Sequence, residues 1–176
     1  MSVVSPQDRL AGTWNFTPVH SAVTFSIGYV VSSFRSSFEE VTATLVDGKL
    51  RGAAQVASVD VKDENLAAHL MSAEFFDADN HPEITFSSDE LKIDGDNVQL
   101  DGELTIKGIT KPLHATGAVD GPTEDFMGNT RLGLTLKVVI DRTAYGISWN
   151  ADLPNGGRAL SDDVELTVEL EFTRAG

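Results

Sequence analysis

The sequence predicts an all-β domain: an eight-stranded antiparallel up-and-down barrel with one short helical insertion. Three observations carry this. About eight segments alternate apolar with polar residues, the period of a strand with one buried face. Short turn signals join them, among them Asp47-Gly48, Asp94-Gly95 and Lys107-Gly108. The period becomes helical only once, between about Asp63 and Phe76. A sheet with one wet face must hide the other, and long strands connected in order favour closure over a sandwich, because closure leaves no edge.

Taken in order, Gly12 to Phe16 reads as a first strand carrying Trp14. Val23, Phe25, Ile27, Tyr29 and Val31 share one face of the next strand, with Thr24, Ser26 and Gly28 on the other. Phe34 to Val46 reads as one strand with Val41, Ala43 and Leu45 in phase, and Lys49 to Val61 as a small-residue strand after the Asp47-Gly48 turn. Asp63 is placed as a helix N-cap, ahead of Leu66, Ala67, Leu70 and Met71 at helical spacing. Phe75 and Phe76 follow as an aromatic plug at one end of the barrel.

His81-Pro82 restarts the chain in a strand holding Ile84 and Phe86. The phase slips near Ser88 to Leu91 and Ile93, which suggests a bulge. Val98 to Ile106 and Leu113 to Val119 form the next hairpin. Gly121 to Asn129 and Ala151 to Asp163 read as loops around a long strand from Leu132 to Ile140. The last strand has the cleanest pattern. Val164, Leu166, Val168, Leu170 and Phe172 point inward, because Glu165, Glu169 and Glu171 cannot face an apolar interior without a cost of several kcal/mol. Residues 1–11 read as an N-terminal extension, and 12–174 as a single barrel domain.

The 176 residues carry no cysteine, so thiolate chemistry, disulfides and cysteine metal sites are excluded. The formal net charge of −14 disfavours nucleic acid and adsorption to anionic lipid. No stretch approaches the roughly 18 apolar residues of a membrane span, and the start lacks a secretory pattern, so the expectation is a cytoplasmic protein without stable membrane insertion.

No histidine pair has ligand spacing, so no metal and no cofactor is expected. His20-Ser21 are adjacent in an extended segment and face opposite ways. Asp77, Asp79, Asp125 and Asp141 could serve acid–base chemistry, but nothing in their spacing selects them. The inward face is rich in Val, Leu, Ala and Gly, and small residues such as Ala43, Ala54 and Gly102 would leave room along the axis. Pattern alone leaves two outcomes open: a lumen filled by side chains, or one holding an apolar guest.

Five motifs, in order and spacing, carry a resemblance. They are WNFTPVHSAVTFSI (14–27), HLMSAEFFDADNHPEITFSS (69–88), GELTIKGITKPL (102–113), GNTRLG (128–133) and DRTAYGISWN (141–150). The chain resembles the YceI-like family, polyisoprenoid-binding proteins of lipocalin-like fold, from about Trp14 to Phe172. The resemblance implies an elongated barrel with a helix near one end, a long isoprenoid or related lipid in the lumen, and often a homodimer. The chain departs from the family where Thr17 replaces an aspartate and Tyr29 a histidine, and where Leu66 and Ala67 replace an Arg-Asp pair. A more apolar mouth follows, suited to a fatty acid or another simple lipid.

Together, inward phase and resemblance place the ligand against Phe25, Ile27, Tyr29, Phe38, Ala54, Phe75, Phe76, Phe86, Leu104, Ile106, Leu134, Leu136 and Val168. The expected function is binding of an isoprenoid or other long-chain lipid, as carrier or store, without catalysis. The alternatives are a lipocalin-like enzyme acting on a lipid or quinone through His20, His69 and Asp141, and an acidic stress-associated protein whose cavity is incidental.

Overall fold

A computed structural model describes residues 9–175. Its eleven strands are β1 (Thr13–Phe16), β2 (Ala22–Tyr29), β3 (Ser32–Phe38), β4 (Val41–Val46), β5 (Lys49–Gln55), β6 (Glu83–Ser88), β7 (Leu91–Asp94), β8 (Asn97–Ile106), β9 (Ile109–Glu124), β10 (Thr130–Asp141) and β11 (Leu160–Arg174). All pairings between them are antiparallel. The ring β1-β4-β5-β6-β8-β9-β10-β11 closes because β11 also pairs with β1. It is an eight-stranded barrel in which three staves are broken. β2 continues the stave of β1 along β11, β3 extends that of β4, and β7 extends that of β6 along β8.

These breaks correct the element boundaries. Phe34 to Val46 is interrupted at Glu39 and Glu40, where the backbone turns from β2 toward β5: Glu39 N–H donates to Ser58 O and Gln55 N–H to Glu40 O. The fifth strand stops at Gln55, not Val61. A 3-10 turn, Val56–Ser58, follows, and Val56 N–H finds its acceptor in Pro82 O. The expected bulge near Ser88 is a gap at Asp89-Glu90, anchored by the buried Ser88 hydroxyl donating to Asp101 O at 2.9 Å. Val31 does not continue the inward face, because the chain has already turned and leaves it 97% exposed. Both long loops are shorter than expected, since β9 runs to Glu124 and β11 starts at Leu160.

The register makes the inward phase common to neighbours. Leu132 pairs with Phe172, Leu134 with Leu170, Leu136 with Val168, Val138 with Leu166 and Ile140 with Val164. At one end the interior is filled by Trp14, Leu45, Leu50, Leu91, Leu100, Leu132, Leu134 and Phe172. Leu10 is buried in the same cluster, and Arg9 donates to the carbonyls of Gly95 and Gly121. Arg9 and Leu10 of the expected extension therefore pack with the barrel; residues 1–8 lie outside the described residues.

The β9–β10 turn at this end is tied by Asp125, whose carboxylate accepts from Met127 N, Asn129 N and Arg131 Nε. The Arg131 guanidinium, then these backbone N–H groups, hold the carboxyl down at about 2 from its ordinary 3.8. A depressed carboxylate stabilises fully above its unfolded value and loses that contribution as the pH falls through the folded one. The turn is expected to loosen between about pH 4 and pH 2, and Asp125→Asn to abolish that transition; hydrogen exchange at Met127 and Asn129 reads it.

The insertion is the helix α1 (Glu64–Met71), starting where predicted. Asp63 accepts from Asn65 N at 2.8 Å and Leu66 N at 3.2 Å, satisfying two N–H groups that the first turn cannot. Ser72 stops the helix, its hydroxyl donating to His69 O at 2.6 Å, and a tight turn returns Phe76 N–H to Leu70 O. Asp63→Ala should cost about 1 kcal/mol in denaturant unfolding.

Candidate lipid-binding cavity

At the α1 end the barrel is not filled. A cavity of about 410 Å³ lies between α1, the β2–β3 hairpin and the ends of β10 and β11. Each element contributes through its period. Leu66 and Leu70, one helical turn apart, face inward from α1. Phe25, Ile27 and Tyr29 alternate from β2, and Ile140, Val164 and Leu166 come from β10 and β11. Tyr29 is half exposed at the rim.

A second cavity of about 120 Å³ lies deeper, lined by residues that include Val41, Ala43, Ala54, Leu113 and Val168. Phe38, Ile84, Ile106 and Leu166 line both, so the two cavities adjoin along the barrel interior. The volume of the outer part falls within the range of small-molecule sites, roughly 300–1,000 Å³.

Aromatic rings build much of the outer cavity's wall. Phe25 packs on Phe34 and Phe38 with centroids 6.0 and 5.6 Å apart, and Phe38 meets Phe76 edge-on at 6.0 Å. The His69 ring stands edge-on to Phe75 at 4.8 Å and Trp149 at 4.7 Å, with Nε2 2.8 Å from Glu74 Oε2. Lys107 Nζ donates to Ala73 O and Gly146 O, joining the turn after α1 to the segment after β10.

Of the residues expected to line the ligand, Phe25, Ile27, Tyr29, Phe38, Phe75, Phe76 and Ile106 meet in the outer part. Ala54, Phe86, Leu104, Leu136 and Val168 line the inner part. Leu134 lines neither: it sits in the filled end, 2% exposed. Gly102 gives no free space either. An added Cβ there would lie 2.9 Å from the Phe86 ring, so the ring already fills the site.

Sequence reasoning missed Phe34, Leu66, His69, Leu70, Ile84, Ile140, Arg142, Ile147, Trp149, Leu160, Val164 and Leu166 as cavity walls. For Ile140, Val164 and Leu166 the inward phase was available. Arg142 continues that phase two residues beyond Ile140. It is the one Arg or Lys of the outer wall, 3% exposed. Its Nε donates to Ser161 O at 2.8 Å, and Nη1 to Ile147 O at 2.8 Å and Trp149 O at 2.9 Å. Burial pushes its pKa down from the usual value.

The three catalytic candidates do not converge. His20 pairs with Glu171 at 2.6 Å, and Asp141 accepts from Thr143 N and Oγ1, capping the turn that starts at Arg142. These Thr143 bonds, side chain first, hold the Asp141 carboxyl below the usual range. Neither residue lines the lumen; His69 does. Among the described residues, no group of three His, Cys, Asp or Glu could hold a metal ion, and no helix is long and apolar enough to cross a membrane.

The model of the YceI-like domain matches residues 14–172. The chain belongs to the YceI-like family. A UPF0312 protein of Staphylococcus aureus is 31% identical over 170 residues, covering 91% of this chain and 96% of that one. One from Pectobacterium atrosepticum is 38% identical over 117 residues, 66% of this chain; that match spans 58% of the relative's length.

Solved structures share the YceI-like barrel. BcnA of Burkholderia cenocepacia has a TM-score of 0.76 at 19% identity, covering 89% of this chain and 99% of BcnA. A polyisoprenoid binding domain from Saccharophagus degradans, implicated in plant cell wall breakdown, has a TM-score of 0.72 at 13% identity, covering 94% of this chain and 99% of that domain.

Proposed function

We propose that this YceI-like protein binds an isoprenoid or another long-chain lipid in its lumen, as carrier or store, without acting on it chemically. The observation that carries this reading is the pair of adjoining apolar cavities, about 410 and 120 Å³, with four lining residues in common. Each buried methylene contributes about 0.8 kcal/mol, so a long tail binds with few polar contacts. The polyisoprenoid binding domain of Saccharophagus degradans, with the same fold, supports the ligand class. Catalysis is disfavoured by the scatter of the titratable groups: only His69 of the three candidates reaches the lumen, and its Nε2 already faces Glu74.

Native mass spectrometry after gentle purification tests the reading. The expected result is one lipid-sized adduct per chain, lost on delipidation and regained with a long-chain probe. The same spectra report whether the protein forms the homodimer expected from the family resemblance. Protein that carries no adduct and takes up no probe would overturn the reading.

A further inference from the structure

The β2–β3 hairpin turns through two residues, Val30 and Val31, between the paired Tyr29 and Ser32. Two-residue hairpin turns favour Asn-Gly or a leading Gly, because they need positive φ. Val30 takes a φ of 51°, a left-handed conformation that is costly for a β-branched residue. Neither valine belongs to a core cluster: Val30 is about half exposed and Val31 almost wholly so. The fold gains nothing from two valines here, and glycine would serve the turn better. Between Arg9 and Arg35 the chain has no Asp, Glu, Lys or Arg, although 23% of its residues are charged. The tip is therefore apolar and uncharged, and it runs on through Tyr29 into the wall of the outer cavity.

We infer that Val30 and Val31 dock on an electroneutral lipid bilayer and bring the outer cavity against the surface from which its lipid enters. The inference rests on the lipid-binding reading and adds where that lipid is exchanged. A long-chain lipid is costly to transfer through water, so a cavity that takes one up gains from contact with the phase that holds it. Tyr29 belongs both to the exposed tip and to the cavity wall, so what covers the tip also meets the cavity. Exposed apolar side chains bind the interfacial layer of a membrane by burying their area in it. The net charge of −14 disfavours an anionic surface, as do Asp162 and Asp163, which lie beside Gly28 where β11 bulges against β2; a zwitterionic surface fits. The other exposed apolar pair, Phe126 and Met127, follows Glu124 and Asp125 at the filled end, away from both cavities.

The chain has no cysteine, so Val31→Cys takes a single environment-sensitive fluorophore, and Phe126→Cys takes the same label at the opposite end. Each is mixed with phosphatidylcholine vesicles. The Val31 label is expected to brighten and shift to the blue, and the Phe126 label to stay unchanged. In the unlabelled chain, Val31→Asp is expected to weaken co-sedimentation with the vesicles at least about tenfold. Val30→Gly is expected to weaken it as well, while raising Tm by about 2–4 °C through relief of the left-handed valine. A silent Val31 label, an equal response at both labels, or undiminished sedimentation of Val31→Asp would overturn the docking assignment. A blue shift that grows with protein concentration in the absence of vesicles would show that a second copy covers the tip, and would overturn it too. Uptake of a long-chain probe, read by native mass spectrometry on the same samples, keeps the two readings apart. A chain that loads lipid but does not dock leaves the lipid reading standing; one that loads none overturns both.

Discussion

Leu166→Trp should empty the barrel of lipid while leaving it folded. Leu166 stands on β11 between Val138 of β10 and Phe25 of β2, and its side chain reaches both parts of the lumen. It is only half-buried, so a larger side chain grows into open space and not into packed neighbours. An indole here takes up space in both cavities and leaves less of it to the tail. Keeping even two methylenes out of the inner part costs about 1.6 kcal/mol, more than tenfold in affinity. Glu169→Trp, on the outer face of the same strand, should load normally. Native mass spectrometry measures loading and circular dichroism the fold. Full loading of a well-folded Leu166→Trp would show that the lumen is not where the lipid sits.

Leu134 shows where alternation stops being informative. It shares its phase with Leu136 and Leu132, and the sequence treats the three alike. Leu136 lines the inner cavity, while Leu134 and Leu132 are sealed in the filled end. Period 2 tells which face a residue takes; it does not tell how far along the axis the barrel is packed. That depends on residues distant in sequence, such as Leu10, Trp14 and Leu91 meeting Leu134 in one cluster.

The broken staves were hidden for a similar reason. Phe38 and Val41 each keep an inward position, yet the two strands they belong to pair with different partners. The helix was legible because it changes the period and carries its own cap, Asp63. Trp149 and Ile147 were not, because they lie outside any regular element and are held by the guanidinium of Arg142.

Arg142→Met should produce a large loss of stability, centred on the segment from Ile147 to Trp149. Methionine keeps an apolar stem of similar length, so packing changes little; what disappears is the guanidinium. Its three bonds tie the start of β11, through Ser161 O, to the returning segment, through Ile147 O and Trp149 O. Replacing a buried ion pair by apolar residues is often neutral, because both charged partners leave together. Here the acceptors are backbone carbonyls and stay behind. Each one left unpaired costs about 1–3 kcal/mol, against which the variant regains only the cost of burying one cation. A net loss of about 3 kcal/mol is expected, or roughly 6–12 °C in Tm for a chain of this size. Trp149, released from His69 and Phe75, should shift its fluorescence to the red. A variant that melts within about 2 °C of the wild type, with unshifted emission, would show that the segment closes the cavity by its own packing, without Arg142.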